Sequence, residues 1–298
     1  MDNLRGIALM IAAMAGFAME DAFIKASSAS MPAGQITLLL GLGGTLIFGL
    51  MLRRRGLPVF SKALLDRAVM VRNISEMLGA MFFISALVLA PISTVAAILQ
   101  ATPLVVTLGA AIFLGAPVGW RRWSAIVVGL IGVLMILRPG TGAFDLGSLL
   151  AAIAVVLMAA RDLSTRMVPP EINSLQLACY GFGACIPAGL ILLALFGGAT
   201  IPDQSSTLAI FGALVVGMAG YYALTAAMRV GEIVVVTPFR YTRLIFTMSL
   251  GVFFFSERPD GWTLAGAALI IGSGLFTILR EAHLSRTQRP LSSAASER

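Results

Sequence analysis

The chain has 298 residues, of which 58% are hydrophobic and only 12% charged, with a formal net charge of +7. A soluble domain carries roughly 25% charged residues, so the composition excludes an ordinary soluble enzyme and points to a membrane protein. The basic excess lies in short connections and a tail, not on one face, which argues against nucleic acid as a partner.

A bilayer-spanning helix needs about 20 mostly apolar residues. Ten segments qualify, at about 4–25, 33–52, 69–89, 92–114, 121–138, 146–166, 173–196, 206–228, 231–255 and 261–280. The first segment is too long for a signal h-region and holds Glu20 and Asp21, so it reads as a retained helix. Residues 281–298 are polar and read as a disordered cytoplasmic tail. Cys179 and Cys185 share one apolar segment at a spacing that points them apart and rules out a bridge. The only histidine, His283, lies in the tail. Histidine metal sites and Ser-His or Cys-His catalysis therefore find no residues in the spans, and we expect no catalytic residues, metal or cofactor.

Orientation follows from Lys and Arg in the connections. With the N-terminus in the cytoplasm, sixteen of the 21 basic residues fall on cytoplasmic ends, among them Arg53, Arg54, Arg55, Arg121, Arg122 and Arg166. Lys25, Arg138 and Arg258 fall outside. Both termini are then cytoplasmic, consistent with an even number of spans.

The chain repeats itself. Leu108–Arg138 matches Leu250–Arg280 at an offset of 142, with identities that include Gly109/Gly251, Pro117/Pro259, Gly119/Gly261, Trp120/Trp262, Gly132/Gly274 and Arg138/Arg280. At an offset of 141, Gly6 matches Gly147, Asp21 matches Asp162, Lys25 matches Arg166 and Gln35 matches Gln176. Residues 1–140 and 141–280 are thus two five-helix repeats. Five is odd, so the halves enter the membrane in opposite directions. Inverted repeats of this kind typify secondary transporters, with the substrate site near the midplane between the halves. The expected fold is all-α and integral to the membrane, with ten helices around a central cavity.

Ala86 to Gly140 resembles the EamA-type repeat of the drug/metabolite transporter superfamily. The likeness rests on Ala90-Pro91, Thr102-Pro103-Leu104, Leu114-Gly115, Trp120-Arg121-Arg122-Trp123 and Ile136-Leu137-Arg138-Pro139-Gly140. Ser256-Glu257-Arg258, Gly261-Trp262 and Ile278-Leu279-Arg280 carry it in the second copy. One departure stands out: the family commonly has an acidic residue after Leu-Gly, and this chain has Ala116 there but keeps Glu257 in the second copy. The resemblance implies a monomeric carrier in a bacterial inner membrane that exports or exchanges small polar metabolites without hydrolysing ATP. Amino acids, aromatic ones among them, are the first substrate class it suggests. Nucleotide-like metabolites, vitamins and S-adenosylmethionine are the alternative. A channel or membrane scaffold is the rival class.

Ionisable residues inside a bilayer cost at least ~2.5–3.5 kcal/mol each on insertion scales, so they tend to face a cavity or one another. The sequence places Glu20, Asp21, Lys25 and Arg243 in an outer layer, and Arg72, Glu76, Arg161, Asp162 and Arg166 in an inner one. The spacing predicts local i,i+4 pairs Asp21–Lys25, Arg72–Glu76 and Asp162–Arg166. We read the layers as alternate gates; the bland reading is interfacial snorkelling. Arg240 and Arg243 sit one turn apart beside Tyr241, and a guanidinium fork suits carboxylate or phosphate. Glu20, Glu76, Gln100, Tyr180 and Tyr221 complete the expected substrate site. Pro103 and Pro238 lie mid-span and are expected hinges.

Overall fold

The structure is a computed structural model. It describes the backbone of residues 2–116, 119–141, 145–230 and 233–295. The described residues are helical except for short connections, as twenty-residue apolar runs in a bilayer must be: only a helix satisfies its backbone internally. The helices are α1 (Asp2–Ser27), α2 (Ala33–Arg54), α3 (Arg67–Leu89), α4 (Ile92–Leu99), α5 (Thr102–Phe113) and α6 (Trp120–Leu137) in the first repeat. The second holds α7 (Leu146–Met167), α8 (Ser174–Phe196), α9 (Gln204–Val230), α10 (Ile233–Val236), α11 (Thr242–Phe255) and α12 (Gly261–Ala295). Among the described residues, nine stretches are long and apolar enough to cross a membrane on their own; α4 and α5 together form one of them, Ile92–Phe113. The tenth expected span, 231–255, is divided into α10, a 3-10 turn at Thr237–Tyr241, and α11. The side chains of 281–298, where the sequence suggests a disordered tail, lie outside the described residues, as does Pro117 of the repeated turn.

Helix ends are set by polar caps. The side chains of Asp66, Asp145, Asp203 and Asp260 accept from the first free amides of α3, α7, α9 and α12, and Asn173 with Gln176 forms a capping box on α8. Arg138, which follows α6, also binds Asp260. Its guanidinium, with help from Thr263, holds the Asp260 carboxyl down at about 2. Hydrogen bonds from Ser205, Ser206 and Ser30 hold Asp203 well below the usual carboxylate range.

The packing shows the inverted symmetry directly. The contacts of α1 with α9 and of α3 with α7, among the most extensive in the molecule, are mapped onto each other by the repeat. The self-mated pairs α2/α8 and α6/α12 also touch, and α4 of one broken span touches α11 of the other, so a pseudo-two-fold axis passes between them. Even side-chain detail follows it. Gln35 at the start of α2 exchanges two 2.9 Å hydrogen bonds with the backbone of Thr200, beyond α8. Its mate Gln176, at the start of α8, donates at 3.0 Å to Pro58 O, beyond α2. On the axis, glycine permits helix contact through the backbone: a Cβ on Gly189 would lie 2.5 Å from Leu38 N and 2.7 Å from Gly34 O, and one on Gly132 would lie 2.7 Å from Gly266 O.

The two broken spans meet at their breaks. Pro103 has no N–H to offer Leu99 O, and the Thr102 hydroxyl takes that carbonyl instead at 2.7 Å. Gln100, in the turn before Pro103, donates at 3.1 Å to Tyr241 O, in the turn after Pro238. The prolines therefore go beyond the expected kinks. Each stands in the first turn of a new helical segment, and each opens a polar gap in mid-membrane.

Candidate functional site

Those gaps border a cavity of about 530 Å³ between α1, α5, α7, the 3-10 turn, α11 and α12. Pockets for small ligands run from ~300 to ~1,000 Å³. The lining includes Arg122, Arg161, Arg166, Arg240 and Arg243 but one acidic residue, Asp162.

The arginines differ in how they are held. Arg243, in the first turn of α11, donates to both carboxylate oxygens of Asp21 at 2.7–3.2 Å, and its guanidinium stacks 5.5 Å from the Phe17 ring centre. Asp21 is 4% exposed. Arg161, on α7, is bound by Asp162 at 2.8 Å and by Glu76 of α3 at 3.3 Å. Arg240 is different: it projects exposed from the 3-10 turn into the cavity and forms no hydrogen bond or ion pair among the described residues. Its neighbour Tyr241 is buried against Gly274 in the cavity wall, its hydroxyl with no hydrogen-bond partner among the described residues. The tight turn has left one side chain exposed in the cavity and buried the next in its wall. A free, half-desolvated guanidinium in a cationic cavity is a receptor for a carboxylate or phosphate, which it can grip with two parallel hydrogen bonds.

Gln100, Arg240, Tyr241 and Arg243 come together around the cavity as the sequence suggests, with Pro103, Arg161, Asp162 and Arg166 on its walls. Four expected lining residues do not join them. Tyr180 lies under the loop before α3, its hydroxyl 3.1 Å from Ser61 Oγ, because α8 packs on α2 and α3 rather than on the cavity. Tyr221 stands edge-on to Phe48, ring centres 5.7 Å apart, where α9 meets α2. Glu76 sits behind the cavity and steadies Arg161. Glu20 rests on α9, at 2.5 Å from the Cβ position of Gly217.

The local i,i+4 pairs are also corrected. Asp21 pairs with Arg243, and Arg72 donates to Leu177 O and Asn73. Lys25 donates to Val88 O and Ala90 O. Asp162 pairs with Arg161. Asp21 and Lys25 find their partners on other elements, and Arg72 finds one there as well as beside it, because packing brings a neighbouring helix within reach of the buried charge; Asp162 instead takes the adjacent Arg161. Phe17, Met14, Thr107 and Arg122 line the cavity without having been singled out. Phe17 and Met14 had a signal, one and two turns before Asp21 on the same face.

A family model described as "EamA-like transporter family" matches residues 4–138 and again 145–279. Among curated proteins, the chain is similar to a riboflavin transporter of Rhizobium johnstonii, 30% identical over 74% of this chain and 72% of that one. It is similar to the pseudopaline exporter of Pseudomonas aeruginosa, 25% identical over 89% and 93%. An S-adenosylmethionine uptake transporter of Rickettsia prowazekii is 29% identical over 65% and 66%. One solved crystal structure shares the fold with a TM-score of 0.59 at 19% identity, covering 95% of this chain and 99% of the other.

Proposed function

The chain belongs to the EamA-like transporter family, a multi-pass membrane transporter rather than an enzyme, and from that premise we propose that it carries small carboxylate-bearing metabolites by alternating access. Arg240 is the single observation that supports this most: a guanidinium with no hydrogen bond or ion pair among the described residues, held over a cavity of ligand size. Amino acids, aromatic ones included, fit such a receptor, with the carboxylate on Arg240 and the side chain against Phe17 and Met14. A second reading, a nucleotide-like metabolite, a vitamin or S-adenosylmethionine, is supported by the names of the relatives and by a cavity with room for a heterocycle.

The cavity mouth carries Arg122 and Arg166, which the distribution of basic residues assigns to the cytoplasm. On that reading the protein sits in a bacterial inner membrane with both termini inside, works as a monomer, and is seen open to the cytoplasm.

The test is counterflow in proteoliposomes with a competition panel of amino acids, nucleosides, riboflavin and S-adenosylmethionine. We expect saturable uptake that a carboxylate-bearing compound suppresses. Arg240→Ala should lower that uptake by about 10–100-fold, the worth of a charge-assisted hydrogen bond, and Arg240→Lys should recover part of it. Uptake unchanged in Arg240→Ala at equal protein would refute the receptor role. Conductance without saturation would favour a channel.

A further inference from the structure

The cluster between α3 and α7 holds more carboxylate than its arginine uses. Arg161 donates to both oxygens of Glu76 at 3.3 Å. Its Nε and a terminal nitrogen both go to a single oxygen of Asp162, Oδ1, at 2.9 and 2.8 Å. Asp162 Oδ2 takes no hydrogen bond or ion pair among the described residues, and the side chain is 38% exposed. The neighbouring arginines do not claim it. Arg72, one turn before Glu76, donates to Leu177 O and Asn73. Arg166, one turn after Asp162, is exposed and makes no hydrogen bond or ion pair among the described residues.

The repeat shows why an oxygen is left over. Asp21, the mate of Asp162, gives both of its oxygens to Arg243. At the offset of 142, Arg243 maps onto Ala101, which is fully buried, and the span Ile92–Phe113 holds no ionisable residue at all. No guanidinium therefore stands on the broken span of the first repeat to close on Asp162 as Arg243 closes on Asp21. The same asymmetry leaves Arg240, whose mate is Ile98, without a carboxylate. One cavity is thus lined by a free guanidinium, Arg240, and by a carboxylate with a free oxygen, Asp162, and the two form no ion pair with each other.

We infer that Asp162 is the ammonium receptor of this cavity, and that together with Arg240 it selects cargo by an α-amino carboxylate head group. Such a head group carries both charges at neutral pH. Held by Arg240 alone, it would bring an ammonium group into a cationic cavity, and a desolvated charge without a partner costs more than the carboxylate's hydrogen bonds return. Asp162 is the one carboxylate in the lining. An ammonium group donating to Oδ2 leaves the bonds of Arg161 to Oδ1 and to Glu76 in place. A carboxylate cargo without an amine leaves Asp162 idle. The rest of the cargo meets Phe17 and Met14, an aromatic ring and a pliable thioether that accept varied shapes, so discrimination falls on the head group. The inference rests on the carboxylate reading of Arg240 and adds the amine to it. Amino acids and S-adenosylmethionine share this head group and riboflavin lacks it.

Dissociation constants of four probes for the full chain in lipid nanodiscs test it. The probes are L-phenylalanine and L-leucine, and the same two molecules without the amine, 3-phenylpropanoate and 4-methylpentanoate. In the parent, each amino acid should bind about tenfold more tightly than its deaminated partner, the worth of a charge-assisted hydrogen bond. Asp162→Asn should bring both ratios near one by weakening the amino acids while the deaminated acids bind as before, and Asp162→Glu should keep part of the ratio. An Asp162 that only steadied Arg161 would lower all four affinities together and leave the ratios alone. Parent ratios near one, binding of neither amino acid, or ratios that survive Asp162→Asn overturn the inference, and the first two outcomes need no variant to fold. Arg240→Ala separates the inference from the reading beneath it, because all four probes should then weaken. If they do not, while Asp162→Asn still removes the ratios, the carboxylate reading fails and the ammonium receptor stands.

Discussion

Two charged clusters, one in each half of the membrane, occupy symmetric ground and are built differently. In the α3–α7 cluster, Arg161 reaches across to Glu76. The repeat maps Arg161 onto Glu20 and Glu76 onto Gly217, so the symmetric contact in the α1–α9 cluster is a glutamate resting on a glycine. The acidic neighbour is kept in both, as Asp162 and Asp21, but Asp162 serves Arg161 on its own helix while Asp21 serves Arg243 on α11. The helix frame survives duplication because it depends on small residues and apolar volume, which tolerate drift. Charged partners need only to be neutralised, and any helix within reach supplies the countercharge.

The comparison predicts unequal losses. Asp21 is almost fully buried and Arg243 takes both its oxygens, so Asp21→Asn should cost about 3–5 kcal/mol, the usual penalty for stranding one member of a buried pair. Glu76→Gln should cost nearer 1 kcal/mol, because Arg161 and Glu76 are each more than a fifth exposed and Arg161 retains Asp162. Unfolding in detergent would measure both, and equal losses would break the distinction.

The glycines sharpen it. Gly189→Ala drives a methyl into the backbone of α2 and should cost about 1–3 kcal/mol. Gly217→Ala meets only the flexible end of Glu20, and with the helix propensity gained should stay within about 1 kcal/mol of the parent. In a Glu20→Ala background that remaining penalty should vanish. Melting temperatures of the three variants decide the order.

The smallest expected effect concerns pH and lies outside the membrane. Arg138 lowers the Asp260 carboxyl to about 2, against an ordinary value of ~3.9. A depressed carboxyl contributes stability that is present above its unfolded value and lost as pH falls through the folded one. Asp260→Asn should therefore cost well under 1 kcal/mol for so exposed a pair. The difference from the parent should be flat from pH 8 to pH 5 and close between about pH 4 and pH 2. A change near neutrality would show that another group controls the loop.

Much of this was legible in the sequence. Gly, Pro and Trp matches at a fixed offset reveal the duplication, and apolar runs reveal the spans, because both depend on local chemistry and spacing alone. Arg240, Arg243 and Gln100 were legible as a group because charge and amide are costly in a bilayer wherever they fall. Tyr180 and Tyr221 were misplaced for the complementary reason. A tyrosine in an apolar helix suits a cavity wall or a packed interface equally, and periodicity does not say which neighbour a face meets.

The sequence by itself determined the spans, the repeat, the inverted topology and the short list of intramembrane charges. Only the tertiary structure decided who pairs with whom: Asp21 with Arg243 rather than Lys25, Arg161 with Glu76, Glu257 with the start of α4, and Arg240 with none of the described residues. The physical reason is one of range. Helix formation and membrane burial are settled within a window of about 20 residues, whereas a salt bridge between residues 222 positions apart depends on which helices the packing of glycines and apolar side chains has brought within 3 Å.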